Sequence, residues 1–295
     1  MNSVSSVEVV HKRESFWRGF FPAVREVWDS RSLLVSLVRK ELSIRYRGSV
    51  LGILWTLIKP LVQLAVYGLV LGFFLGFGRE IPDFGFFMFS GLMIFSLFSE
   101  CVTLGTTSIT WNDTLVKKVT LRRELLPLST TGTAIVNFFF QAVVLVAAFA
   151  VTGRWPQLSD VPFVIPALLI VILLGLAAGM LLGALNVYVR DVQFIVDVGL
   201  MLLFWLTPIL YGWWIVQGTF ASQGYPAWVF DVYMANPLAT AAVAFQQGVW
   251  PGETHPYFDS FWALQLWGTV AVCLVLVWLS QRIFNRLQEN FAAEL

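Results

Sequence analysis

The feature that most restricts how this chain folds is a series of six long apolar stretches, at about 51–77, 84–108, 129–152, 162–187, 192–216 and 261–283. A bilayer core of about 30 Å is crossed by roughly 20 apolar residues in a helix. Backbone in lipid must satisfy its own polar groups, so each stretch is expected to be a transmembrane helix. Composition agrees: 58% of residues are hydrophobic and 13% charged, where a soluble domain carries about 25% charge. The expected class is an all-α integral membrane protein with 13 Trp and 26 Phe for lipid-facing and interfacial positions.

Basic residues set the orientation. Sixteen of the 19 Lys and Arg lie on one side of a six-span plan: nine between Lys12 and Arg47, then Lys117, Lys118, Arg122 and Arg123, then Arg190, then Arg282 and Arg286. The other side holds Arg79 and Arg154, and Lys59 falls inside the first span. An excess of Lys and Arg marks the cytoplasmic side, so both termini and the 109–128 loop are expected there. The first residues, MNSVSSVEVVHKRES, lack the apolar core of a signal peptide.

Three units follow: a cytoplasmic tail with an amphipathic interface helix (1–50), a single six-span domain (51–283) and a cytoplasmic tail (284–295). Between Phe16 and Tyr46, apolar residues recur at three- and four-residue spacing opposite Arg and Lys. That pattern suits a helix lying on anionic lipid or packed on a partner. The external region 217–260 has no Lys or Arg and holds two apolar pieces too short to span, Ala227 to Ala235 and Leu238 to Phe245, separated by Asn236-Pro237. They read as re-entrant half-helices or as a small external cap.

Several chemistries are excluded. The two histidines, His11 and His255, lie outside the spans, so an intramembrane serine protease lacks its base. No His/Asp/Glu cluster has metal-ligand spacing, and Cys101 and Cys273 sit singly in apolar runs. No Gly-x-x-x-x-Gly-Lys-Ser/Thr loop is present, so ATP, if used, is hydrolysed by another chain. A net charge of +1 gives no reason to expect a nucleic-acid partner.

Motifs narrow the class. "LVRKELSIRYRGSVLGILWTLIKPL" (Leu37 to Leu61), "NDTLVKKVTLRRELLPLS" (Asn112 to Ser129), "NVYVRDV" (Asn186 to Val192) and "NPLA" (Asn236 to Ala239) occur in that order. With the six-span plan, they make the chain similar over nearly its whole length to permease subunits of bacterial ABC exporters for lipid-linked polysaccharides: O-antigens, capsules, teichoic acids and galactan. It departs at Leu121-Arg122, where the family often has an aromatic-Pro pair.

The resemblance implies a multi-pass protein of the bacterial cytoplasmic membrane, a channel built from two copies, and a polyprenyl-pyrophosphate-linked glycan as cargo. It also implies a separate pair of ATPase subunits that bind ATP and Mg, with no cofactor in this chain. Coupling to that ATPase is expected at Arg45, Arg47, Asp113, Lys117, Lys118, Arg122, Arg123 and Glu124. Spans one and five are expected to line the channel, with Trp55, Tyr67, Phe73, Phe204, Trp205 and Tyr211 offering ring faces to sugar C–H faces. A permease of this architecture for a drug or lipid, and an integral-membrane scaffold, are the alternatives.

Lys59 and Pro60 interrupt the first span. Lys59 and Glu100, counted from the cytoplasmic ends of spans one and two, fall at similar depths of about 12–13 Å at 1.5 Å per residue. An intramembrane Lys59–Glu100 ion pair is therefore expected, because an unpaired charge there is costly. The other readings place Lys59 in the channel against the carrier's pyrophosphate, or let it snorkel to the interface. Pro60 and Pro208 each withdraw a backbone donor and are expected to bend spans one and five.

Overall fold

The computed structural model describes residues 25, 28–45, 47–49, 51–118, 122–251 and 260–295, and no β-strand occurs among them. Tyr46 and the part of the interface helix expected before residue 25 lie outside the described residues. The rest of that helix is α1 (Arg31–Arg45), which buries Leu37 and packs on α5 (Leu125–Thr152).

Among the described residues five helical segments are long and apolar enough to span: Trp55–Phe74, Phe84–Thr107, Leu125–Thr152, Val161–Tyr188 and Trp262–Asn290. The first joins α2 (Trp55–Val66) to a π-helical continuation, Tyr67–Phe74. The helix runs through Pro60 without interruption and loosens only from Tyr67 onward. Next come α3 (Phe84–Thr107), α4 (Asp113–Lys118), α5, α6 (Val164–Tyr188) and, at the end, α11 (Ser260–Leu287) with the short α12 (Phe291–Glu294). Gly153 ends α5 at φ 71°, its N–H returning 2.9 Å to the Phe149 carbonyl, the left-handed stop that glycine permits.

Helix α6 is the centre of the bundle, flanked by α3, α11 and α10 (Pro237–Val249). Its approach to α3 follows from three glycines at four-residue spacing, Gly175, Gly179 and Gly183, which face Cys101 and Gly105. A Cβ at Gly183 would lie 2.5 Å from the Gly105 carbonyl oxygen, and one at Gly105 would lie 2.6 Å from the Gly179 Cα. Small residues in register let two backbones meet, which is how helices associate where lipid removes the hydrophobic driving force.

The fifth span, expected over 192–216 with a bend at Pro208, is broken there outright. It divides into α7 (Val192–Leu206), an irregular stretch through Thr207 to Gly212, and α8 (Trp213–Ser222). At 15 residues, α7 reaches about 22 Å, short of a full crossing. Pro208 is the cause. It has no N–H to continue the ladder, and it forces Thr207 into extended geometry at φ −101° and ψ 136°. Irregular backbone at membrane depth survives only when protein satisfies it. Here Gln246 of α10 donates to the Ile209 carbonyl at 3.2 Å, and Ile209 is fully buried.

The pieces expected at 227–235 and 238–245 are helices α9 (Ala227–Met234) and α10. Asn236 caps α10 by accepting from the Leu238 N–H at 3.0 Å, with Pro237 at the first helical position. Every residue from Leu238 to Gly248 is buried, so α10 is inserted in the bundle and is not an external cap. Gln247 donates to Asp160 at 2.7 Å, and the Trp250 indole donates to the Pro82 carbonyl at 2.8 Å, anchoring its C-terminal end.

Candidate substrate cavity and coupling surface

Where α1 meets the spans, it is attached through polar contacts on successive turns. Lys40 donates to Asn112 at 3.1 Å. Glu41 accepts from Ser129 at 3.1 Å and from Thr133 at 2.7 Å. Arg45 donates to Glu100 of α3 at 2.6 Å, and the same carboxylate oxygen accepts from Asn137 of α5 at 2.7 Å. Burial raises the Glu41 carboxyl above its ordinary range, against the lowering effect of its Thr133 and Ser129 bonds and of nearby Lys40 and Arg45.

Glu100 therefore has a cation, but it is Arg45 and not the expected Lys59. Equal depth placed Lys59 beside Glu100 in one dimension, while the guanidinium at the end of α1 reaches the carboxylate first. Both residues instead line a cavity of about 580 Å³, together with Arg45, Ser49, Trp55, Thr56, Pro60, Gln63, Asn137 and Gln141. Its walls come from α1, α2, α3 and α5, and the segment before α2. Sequence reasoning missed Asn137 and Gln141, although two amides four residues apart in an apolar span were a readable sign of one polar helix face.

The ring-bearing candidates divide into two groups. Trp55, Phe73 and Trp205 are exposed, Phe73 at 76% and Trp205 at 61%. Tyr67, Phe204 and Tyr211 are held within the chain. Tyr67 accepts from Gln63 at 3.0 Å, Phe204 packs edge-on to Phe95 at 5.1 Å, and the Tyr211 hydroxyl donates to the Trp205 carbonyl at 2.8 Å. The last bond spans the break at Pro208, which is itself buried. Helix α7 buries only Val196, and the first span is almost unburied. The two helices expected to line a channel thus present open apolar faces.

The coupling candidates are also sorted. Arg47 and Lys117 are exposed. Asp113 accepts from the Thr114 N–H at 2.6 Å at the start of α4. Arg122 approaches Glu124 at 3.9 Å, and Glu124 is buried. Arg123 donates to the Gln288 carbonyl and lies 5.8 Å from the Phe291 ring, which ties this loop to the C-terminal tail. Burial lowers the pKa of Arg123. Arg45, Arg123 and Glu124 therefore make contacts within this chain, while the Lys118 side chain lies outside the described residues. A second cleft of about 370 Å³ lies between Thr110, Trp111 and Asp113 and the Asn186, Arg190 and Gln193 segment, bringing together "NDTLVKK" and "NVYVRDV". Among the described residues no group of three or more His, Cys, Asp or Glu is placed to hold a metal ion.

Comparison with known proteins agrees with this architecture. The model of the ABC-2 type transporter family matches residues 32–250. An O-antigen export system permease protein, RfbA, of Myxococcus xanthus is 35% identical over 272 residues, covering 92% of this chain and 98% of the relative. Two proteins of the same description from Klebsiella pneumoniae are each 30% identical over 261 residues, covering 88% of this chain and 93% of each relative. By the family match over most of its length, the near-complete coverage of these permeases and its helical architecture, this chain belongs to the ABC-2 type transporter family as a membrane-spanning permease subunit.

Proposed function

We propose that two copies of this chain form the membrane conduit of an ABC exporter that moves a lipid-linked polysaccharide outward across the bacterial cytoplasmic membrane. The observation that carries this reading is the similarity to O-antigen export permeases along almost the full length of both chains. A separate ATPase pair binds ATP and Mg and docks beneath α1, α4 and the cleft between the two cytoplasmic motifs. Arg47 and Lys117, both exposed, are its first contacts, and the positive-inside pattern supports putting both termini on the same side. The open faces of the first span and α7 pair across the two-fold axis of a homodimer. Trp55, Phe73 and Trp205 line the path, where ring faces carry sugar C–H faces without fixing one residue of the polymer.

Deletion of the gene tests the reading. Cells lacking the chain keep full-length lipid-linked glycan on the inner leaflet and lose it from the surface, and expression of the chain restores it. Unchanged surface glycan in the deletion strain contradicts the proposal.

A further inference from the structure

The described residues form two apolar cores, and the smaller one joins elements far apart in sequence. It holds Ile109 and Val116 of the loop after α3, Met180 and Val187 of α6, Phe284 of α11 and Phe291 of α12. Phe284 and Phe291 are fully buried there, edge-on to each other at 5.6 Å. Polar bonds converge on the same place. Tyr188, at the end of α6, donates its hydroxyl to the Leu287 carbonyl at 2.6 Å and sets its ring edge-on to Phe291 at 6.1 Å. Arg123, from the far end of the 109–128 loop, donates to the next carbonyl, Gln288, and stands 5.8 Å from the same ring. Carbonyls at a helix C-terminus attract donors and cations, so the end of α11 draws both elements to one point.

The loop has little stiffness of its own. Helix α4 has six residues, and isolated helices under about 12 residues are marginal, so its placement comes from what Val116 packs against. The loop's tie to α1, from Lys40 to Asn112, is an exposed bond near its other end. We propose that residues 287–291, just past the sixth span, are a strut that makes the 109–128 loop and α6 move as one body, with Phe291, Tyr188 and Arg123 as its positioning residues. A push by the ATPase on the exposed face of α4 then reaches α6, and through the glycine seam α3, instead of being absorbed by bending of the loop. The strut touches neither cargo nor nucleotide. It rests on reading the chain as the partner of an ATPase and not on the identity of the cargo.

The test uses the complex of this chain with its ABC ATPase partner in sealed vesicles and in nanodiscs. Phe291→Ala is expected to co-purify with the ATPase and to hydrolyse ATP, with glycan transferred per ATP lowered at least about fivefold, the low end of couplings between sites. Phe291→Leu, which refills most of the volume, is expected to recover part of that ratio. Spin labels at Thr114 of α4 and Val189 beyond α6, both exposed, read the strut without reference to cargo. The parent complex is expected to show one narrow distance with and without ATP, and Phe291→Ala to broaden it. Either an unchanged ratio or an unchanged distance distribution in Phe291→Ala overturns the strut, as does a fall in transfer that only follows a fall in hydrolysis. If Phe291→Ala does not assemble, Tyr188→Phe, which removes one hydroxyl and keeps the ring, decides by the same two readings. A parent complex that hydrolyses ATP but transfers no glycan removes the export reading, and broadening in the variant then leaves the strut standing.

Discussion

The seam between α3 and α6 makes the sharpest structural prediction. A methyl group at Gly183 would lie 2.5 Å from the Gly105 carbonyl oxygen, whereas an ordinary carbon–oxygen contact is about 3.3 Å. Backbone cannot rotate away as a side chain can, so Gly183→Ala must part the helices by about 0.8 Å, the difference between those two distances. A gap of that size forfeits roughly a quarter to a half of each dispersion contact along the seam. Overpacking of this kind costs about 2–3 kcal/mol, which corresponds to a midpoint lower by roughly 5 °C. Gly268 in α11 is the control, with nothing within 4 Å of its Cβ direction. Gly268→Ala is expected to leave the midpoint unchanged or raise it slightly through helix propensity. Thermal unfolding in one detergent, followed by fluorescence-detected size-exclusion chromatography, reads both. Equal midpoints for Gly183→Ala and Gly268→Ala would refute the close-packed seam.

Three further perturbations follow from the contacts around α1 and α10. Exchanging the charges as Arg45→Glu with Glu100→Arg is expected to recover part of the export lost in either single variant, while Lys59→Glu with Glu100→Lys recovers none; glycan export in a complementation assay separates the two pairings. Glu41 has a raised pKa in the folded state, so the folded state holds its proton more tightly. Its contribution is fully present below the ordinary carboxylate range and is lost as pH rises through the raised value. Hydrogen exchange in α1 should therefore quicken as pH rises above the ordinary carboxylate range, beyond the intrinsic rate change, and Glu41→Gln should remove that excess. Gln246→Leu strands the buried Ile209 carbonyl, with an expected loss of about 1–3 kcal/mol, seen as a lower unfolding midpoint.

What the sequence disclosed, and what it hid, follows from dimension. Spans are one-dimensional features, so hydropathy located them, and Asn236-Pro237 announced the start of α10 through local capping chemistry. Thr207-Pro208 marked the break in the fifth span, although its completeness depends on Gln246 supplying the lost bond from another helix. The partner of Glu100 was hidden because depth fixes only one coordinate. Lys59 matched in depth, and the geometry of α1 against α5 put Arg45 within reach instead. The four-residue spacing of Gly175, Gly179 and Gly183 was visible, but their partner helix was not. Helix α10 is apolar nearly all round, so no periodicity told whether it lay outside the bundle or within it. The coupling residues divided for a similar reason: composition grouped Arg122, Arg123 and Glu124 with Lys117, while contact with the C-terminal tail sets Arg123 apart and burial sets Glu124 apart.

The most direct test of the account is ATP-dependent transfer of lipid-linked glycan to the outer face of sealed vesicles containing this chain and its ABC ATPase partner. The account predicts transfer that needs both chains and ATP and stops when hydrolysis in the ATPase is blocked. Transfer that continues without ATP or without the ATPase, or no transfer from a complex that hydrolyses ATP, would contradict it.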